Sequence, residues 1–253
     1  MLVAKQPGRA SKTRLAAGLA ASLDEETARA TATAFALASL SDLLERLAGV
    51  CTRRVLLHAP PTDAARDELA GLLGSLAVCD QWELMPVLPA AAGGPPPDLG
   101  AVLADAAARC RSPNAPAVIF IGMDCPDLPA EEIVHAARVC SEPGHAYICP
   151  ATDGGYVLLG LPADARADAV FAGVEWSAPE TCASQVASLV RSGLRCTHGG
   201  RYRDVDEAED LVALAHRLRC GPSSPSVACP RVKGLLAHFG EDRRGRSSHG
   251  SGG

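Results

Sequence analysis

Aromatic side chains are scarce in this chain: 2 Trp, 3 Tyr and 4 Phe make up 4% of 253 residues, while 47% of the residues are hydrophobic. The core must therefore be assembled from Ala, Leu and Val. A basic excess is also missing. The formal charge is -5, which argues against a nucleic-acid-binding protein, since that would need a clustered cationic face. No apolar run approaches the roughly 20 residues of a membrane-spanning helix, so no membrane partner is expected. Close cysteine pairs are absent. The ten cysteines, from Cys51 to Cys229, never form a CxxC, and zinc sites are usually built from such pairs. With no secretory signal visible, scattered thiols in a reducing compartment fit better than a disulfide framework. No convincing internal repeat is present. What remains is a soluble small-molecule protein, with enough chain for one large α/β domain or two small ones.

Acids are missing from the first 23 residues, which carry Lys5, Arg9, Lys12 and Arg14. That bias suits a mitochondrial transit peptide and equally a phosphate-binding loop. The loop is the reading carried forward, with the cytoplasm as the simpler location and mitochondrial targeting as the open alternative.

The chain is organised around Ala117–Pro129, AVIFIGMDCPDLP. Its apolar run reads as a strand buried on both faces, as in a parallel sheet. Pro126 stops it, and Pro129 opens a helix through Glu131, Glu132 and Ile133. Asp124 thus stands at the carboxyl end of a central strand, where open α/β sheets bind ligands. It reads as the holder of a divalent metal that in turn holds a phosphate, or else as a simple turn cap. Further strands are expected at Met1–Ala4, Arg54–His58, Trp82–Leu88, Ala146–Pro150, within Ala151–Leu161, and at Leu194–His198. Pro86 demotes the third of these towards an edge. Helices are expected from about Arg14, from Asp24 towards Leu47, and from Thr62 or Asp63 to Leu73. Others should cover Asp98–Cys110, Ala130–Cys140, Ala178–Arg191 and Glu207–Leu218. Strands alternating with helices in this way predict a three-layer α/β domain with a mainly parallel central sheet. From residue 220 to 253 the composition turns to Pro, Ser, Gly and Arg, and a disordered tail is expected, with one short helix around Lys233–Phe239.

Four groups of residues could carry chemistry. The loop Gly8–Thr13 (GRASKT) resembles a phosphate-binding P-loop but lacks its glycine spacing and the Gly before the Lys. Lys5, Lys12 and Arg14 could still meet a triphosphate near a helix start, or form a solvated basic loop. Asp153-Gly154-Gly155-Tyr156 reads either as a hairpin turn or as backbone that lets a substrate approach closely. Asp206 with Glu209 matches a capping box for the helix that follows, which leaves Asp204 unexplained. Asp124, Asp204 and Asp206 together would make a hard, oxygen-rich site suited to Mg²⁺ or Mn²⁺. Cys125 lacks an evident partnering base and is not read as a nucleophile.

Taken in order, Lys5-x-Pro7 with Lys12-Thr13-Arg14-Leu15, Ile121 to Leu128, Asp153 to Tyr156, Trp176-Ser177 and Asp204-Val205-Asp206 resemble a mainly bacterial family of the glycosyltransferase A (GT-A, nucleotide-diphospho-sugar transferase) fold. That family is similar to the guanylyltransferases acting on phospholactate or phosphoenolpyruvate. The resemblance covers roughly Met1–Leu218 and implies a Rossmann-like GT-A domain over residues 1–219. It implies that Lys5, Lys12 and Arg14 face nucleotide phosphates and that Asp124, Asp204 and Asp206 hold the metal. Asp153, Gly154, Gly155, Trp176 and Ser177 would lie on the acceptor side. The basic loop is one residue shorter between its lysines than the family pattern, only four residues precede Lys5, and Ala178 stands where Thr is usual.

These readings lead to a metal-dependent transferase that uses a nucleotide or nucleotide sugar and a small acceptor. Nucleotidyl and glycosyl transfer both remain open, as does the oligomeric state. The alternative is a non-catalytic nucleotide-binding protein that retains the fold. A P-loop kinase is a third and weaker reading.

Overall fold

A computed structural model describes residues 1–8, 11–90, 94–112, 115–220 and 228–237. The expected Arg9, the middle of the loop after Leu88, and Phe239 lie outside the described residues. Seven strands form one sheet: β1 (Leu2–Lys5), β2 (Val55–Ala59), β3 (Glu83–Pro86), β4 (Ala117–Gly122), β5 (His145–Pro150), β6 (Tyr156–Pro162) and β7 (Arg195–His198). Their order is β3-β2-β1-β4-β6-β5-β7. β6 alone runs against its neighbours β4 and β5, and the other pairings are parallel. The sheet is therefore mainly parallel, as the alternation of elements predicts. β3, which carries Pro86, lies at one edge, where the missing N–H costs least.

The helices are α1 (Thr13–Leu19), α2 (Glu25–Arg46), α3 (Asp63–Ser75), α4 (Leu99–Cys110), α5 (Ala130–Cys140), α6 (Ala167–Val170), α7 (Thr181–Arg191) and α8 (Ala208–Cys220). Leu40, Leu43 and Leu44 of α2, Leu69 and Leu73 of α3, and Ile133 and Ala136 of α5 pack on one face of the sheet against Leu2, Leu56, Ile119, Ile121 and Leu158. Val102, Leu103 and Ala106 of α4 and Leu189 of α7 cover the other face against Leu57, Phe120, Ile148 and Leu159. Successive residues such as Leu56 and Leu57 point to opposite faces, and both are fully buried. At about 1.5–3 kcal/mol for each buried Leu or Ile, this two-sided burial makes the central strands the rigid floor of the molecule. Asp24 caps α2, accepting from the Thr27 amide at 2.9 Å, and Glu25 and Glu26 occupy its first turn.

Within the segment expected to be a disordered tail, residues 230–237 form a ninth helix, α9. Cys229, Val232 and Leu236 enter an apolar cluster with Leu15, Phe35, Val205, Leu211 and Leu214. The fully buried Asp42 carboxylate accepts from the Val232 amide at 3.0 Å and the Arg231 amide at 3.2 Å, capping α9 from a different helix. The short helix expected around Lys233–Phe239 starts three residues earlier, and three apolar residues suffice to dock it. Residues 221–227 and 238–253 lie outside the described residues. Also among the described residues, no helix is long and apolar enough to cross a membrane.

Candidate functional site

A cavity of about 900 Å³ opens at the carboxyl ends of β1, β2 and β4. Its polar wall is Lys5, Ser11, Lys12, Arg14, Asp124 and Asp206, and Val87, Leu88, Pro96, Pro97, Leu99 and Val102 supply an apolar wall. A void of this size and mixed lining accommodates a nucleotide-sized ligand.

The polar wall is built by two backbone arrangements. β4 ends at Gly122, and the chain turns through Met123 and Asp124 before Pro126 and Pro129 redirect it into α5. Ser39 of α2 donates to the Met123 carbonyl at 2.5 Å, fixing that turn from behind. The later Asp-x-Asp segment then runs beside it, with the Val205 amide donating to the Asp124 carbonyl at 2.9 Å. Val205 itself is fully buried, so the flanking Asp204 and Asp206 project away from the core.

Lys12 closes the arrangement. Its side chain is 7% exposed, and its Nζ lies 2.7 Å from Asp124 Oδ1 and 3.0 Å from Asp206 Oδ1. The same ammonium donates to the Val205 carbonyl at 2.5 Å. Lys12 enters α1 in the left-handed region, with φ 53 and ψ 42, a conformation that side chains other than glycine hold only when their surroundings impose it. Arg14 is largely exposed and reaches Asp206 Oδ2 at 2.5 Å. Lys5 sits exposed at the end of β1.

The acids group differently from the sequence expectation. Carboxylate oxygens of Asp153, Asp204 and Asp206 lie within 4.8 Å of one another, whereas Asp124 faces the Lys12 ammonium. Asp204 is pushed up to about 6, first by burial, then by the charges of Asp153 and Asp206, with a smaller push from Asp124. Burial and the neighbouring carboxylates both disfavour the ionised form of Asp204. Three hard oxygen donors within reach of one another fit Mg²⁺ or Mn²⁺.

Asp153 reaches the trio from the hairpin between β5 and β6. Its Oδ1 accepts from the Gly155 amide at 2.8 Å, so the turn reading of Asp153–Tyr156 holds while Asp153 also faces the acids. Gly154 has φ +96, and a Cβ there would lie 1.9 Å from the Pro179 carbonyl oxygen. Only glycine fits that crossing. Trp176 packs on Tyr156 and Phe171, and a Cβ at Gly100 near the start of α4 would lie 3.0 Å from its Nε1, while Ser177 is exposed with φ 57. Gly154, Gly155, Trp176 and Ser177 stand outside the walls of the cavity.

The expected capping box is replaced by another contact. Asp206 spends its carboxylate on Lys12 and Arg14, and Asp210 caps instead, its Oδ2 accepting from the amides of Asp206 at 3.0 Å and Glu207 at 2.8 Å. Two supports escaped the sequence reading. Glu132 of α5 accepts from Tyr147 Oη at 2.6 Å, Tyr202 Oη at 2.8 Å and the Gly200 amide at 3.0 Å. Asp127 pairs with Arg217 at 2.7 Å, and Arg217 donates to the Arg203 carbonyl at 3.0 Å. Both anchor the segment leading to Asp204. Cys125 is 1% exposed and its thiol is raised well above the ordinary range, chiefly by burial, so it remains an inert core residue.

The same architecture occurs in solved structures. A Desulfovibrio desulfuricans G20 protein, provisionally assigned as a nucleotide-diphospho-sugar transferase, superposes with a TM-score of 0.78 at 22% identity, covering 96% of this chain and 95% of that one. A 4-diphosphocytidyl-2C-methyl-D-erythritol synthase from Anaerococcus prevotii DSM 20548 superposes with a TM-score of 0.52 at 10% identity, covering 86% and 95%. At these identities the likeness shows a shared fold. No curated protein matches. Residues 43–178, more than half of the chain, match the family described as "Uncharacterized protein conserved in bacteria (DUF2064)", and the chain belongs to that family.

Proposed function

We propose that this protein is a metal-dependent transferase that takes a nucleotide-activated donor and passes a nucleotidyl or glycosyl group to a small acceptor. The observation that carries this reading is the convergence of Lys5, Lys12, Arg14, Asp124 and Asp206 on one cavity at the carboxyl ends of β1 and β4. The relatives of like fold, a nucleotide-diphospho-sugar transferase assignment and a cytidylyl-type synthase, support it. Fold alone does not carry chemistry, so the weight rests on the residues.

Lys5, Lys12 and Arg14 neutralise donor phosphates, Arg14 through its planar fork. Asp153, Asp204 and Asp206 would hold Mg²⁺ or Mn²⁺, with Asp124 beside them. When bound, the ion supplies charge neutralisation on the departing phosphate oxygens. In nucleotidyl transfer the acceptor oxygen bonds to the α-phosphorus, the P–O bond to the β-phosphate breaks, and pyrophosphate leaves. In glycosyl transfer the acceptor oxygen bonds to the anomeric carbon and a nucleoside diphosphate leaves. Where the acceptor is a hydroxyl it loses its proton to water or a nearby carboxylate; an ionised phosphate oxygen attacks without that loss. The acceptor approaches from the side of Asp153, Gly154, Gly155, Trp176 and Ser177. A guanylyl donor is the specific form suggested by the resemblance of the motifs.

Calorimetric titration of nucleoside triphosphates and nucleotide sugars in Mg²⁺ tests this. Asp204→Asn is expected to weaken metal-dependent nucleotide binding by about tenfold or more, and unchanged binding would refute the reading. One observation favours a second reading, a nucleotide-binding protein without turnover: the three protons of the Lys12 ammonium meet three acceptors, Val205 O, Asp124 and Asp206. Ligand-dependent thermal stabilisation without product in a transfer assay would select it.

A further inference from the structure

We infer that Lys12 and Arg14 are resident counter-ions of Asp206, and that a divalent cation entering the acid trio releases them to bind phosphate. Metal and polyphosphate then bind with positive coupling. This rests on the reading of the cavity as a nucleotide site and of the acid trio, which shares Asp206 with it, as a metal site.

Asp206 belongs to two groups at once. It is one of the three carboxylates that approach within 4.8 Å, and both its oxygens are engaged by cations, Oδ1 by Lys12 at 3.0 Å and Oδ2 by Arg14 at 2.5 Å. Among the described residues, the ion pairs of the trio go to Asp206 alone. A divalent ion drawn in by Asp153 and Asp204 competes for the charge of Asp206 and repels the two side chains that hold it. Arg14 is two-thirds exposed and can swing into the cavity at little cost. Lys12 keeps Asp124 at 2.7 Å when Asp206 turns to the cation, and the proton it gave Asp206 becomes available to a phosphate. In the arrangement described, Lys12 has no proton to spare for a phosphate. Binding of the cation is thereby linked to the availability of the phosphate-binding side chains, and by reciprocity phosphate raises affinity for the cation.

The test uses the full chain, with inorganic pyrophosphate in EDTA and Mn²⁺ alone as probes, read by calorimetry. Asp206→Asn loosens Arg14 and one of the three contacts of the Lys12 ammonium, leaving those to Asp124 and Val205 O, and should tighten metal-free pyrophosphate binding by about tenfold or more. Asp153→Asn removes the same charge from the same trio without touching either cation, and should tighten it by no more than about threefold. Equal gains in the two variants would mean that only the general field acts, and would overturn the inference while leaving the site intact. The mirror test uses an exposed residue whose replacement does not threaten folding. Arg14→Gln should tighten binding of Mn²⁺ alone several-fold more than Lys5→Gln, which removes a cavity cation that does not touch the trio. Equal effects would again overturn the coupling. If neither Mn²⁺ nor pyrophosphate binds wild type or any variant, the site reading itself fails, and the coupling with it.

Discussion

The Val205 amide donates to the Asp124 carbonyl at 2.9 Å, and this bond sets the end of β4 beside the segment that carries Asp204 and Asp206. Lys12 spans it, touching Val205 O, Asp124 and Asp206.

The acid cluster should make the metal-free protein sensitive to rising pH. Asp204 is raised to about 6 by burial and by the charges of Asp153 and Asp206. A raised carboxyl stabilises the fold fully below its unfolded value near 3.8, and that contribution is lost as pH rises through about 6. Melting in EDTA at pH 4 and pH 7.5 should therefore show a larger drop for wild type than for Asp204→Asn. Added Mn²⁺ should raise the melting temperature of wild type at pH 7.5 and leave the variant unmoved.

Glu132 should prove a stability determinant through the segment it holds. Burial alone would raise its carboxyl, but donors from Tyr147, Tyr202, Gly200 and Cys149 outweigh that and leave it lowered. Glu132→Gln puts an amide donor against these donors and should cost about 1.5–3 kcal/mol in urea denaturation at pH 7. A lowered carboxyl loses its stabilising effect as pH falls through its folded value, so the difference between the two proteins should shrink in acid.

Gly154 and Gly155 should respond unequally to alanine. At Gly154 the new Cβ meets the Pro179 carbonyl oxygen at 1.9 Å with φ +96, whereas at Gly155 the nearest contact is Asp153 Oδ1 at 3.1 Å. Gly154→Ala should cost about 2 kcal/mol or more in denaturant midpoint experiments, with Gly155→Ala costing clearly less.

Helix α9 should come loose when Asp42 is replaced. Asp42 is fully buried and holds the Arg231 side chain at 3.2 Å as well as the helix amides. Asp42→Ala should cost about 3 kcal/mol and expose residues 228–237 to hydrogen exchange ahead of global unfolding.

Much of the fold was legible in the chain because burial on both faces leaves an unmistakable apolar run. Ala117–Gly122 and Ala130–Cys140 coincide with β4 and α5, and Pro86 placed β3 at an edge. The approach of Asp153 to Asp204 and Asp206 was not legible, since it depends on the sheet order β4-β6-β5-β7, which no local pattern encodes. The capping role fell to Asp210 because Lys12 and Arg14 claim Asp206, and that is a competition across the fold. Helix α9 left a signal, with Cys229, Val232 and Leu236 at helical spacing where a short helix is expected; its docking was not legible, because the buried Asp42 that caps it comes from a distant helix.

Under the proposed function, acids distant in sequence gather to hold one divalent cation beside the basic loop. Titration with Mn²⁺, followed by the loss of its free-ion electron paramagnetic resonance signal, measures this directly. One ion should bind per chain, with affinity falling by at least about tenfold, some 1.4 kcal/mol, in Asp204→Asn. Saturation at the same concentration in wild type and Asp204→Asn, or no uptake by wild type at all, would contradict it.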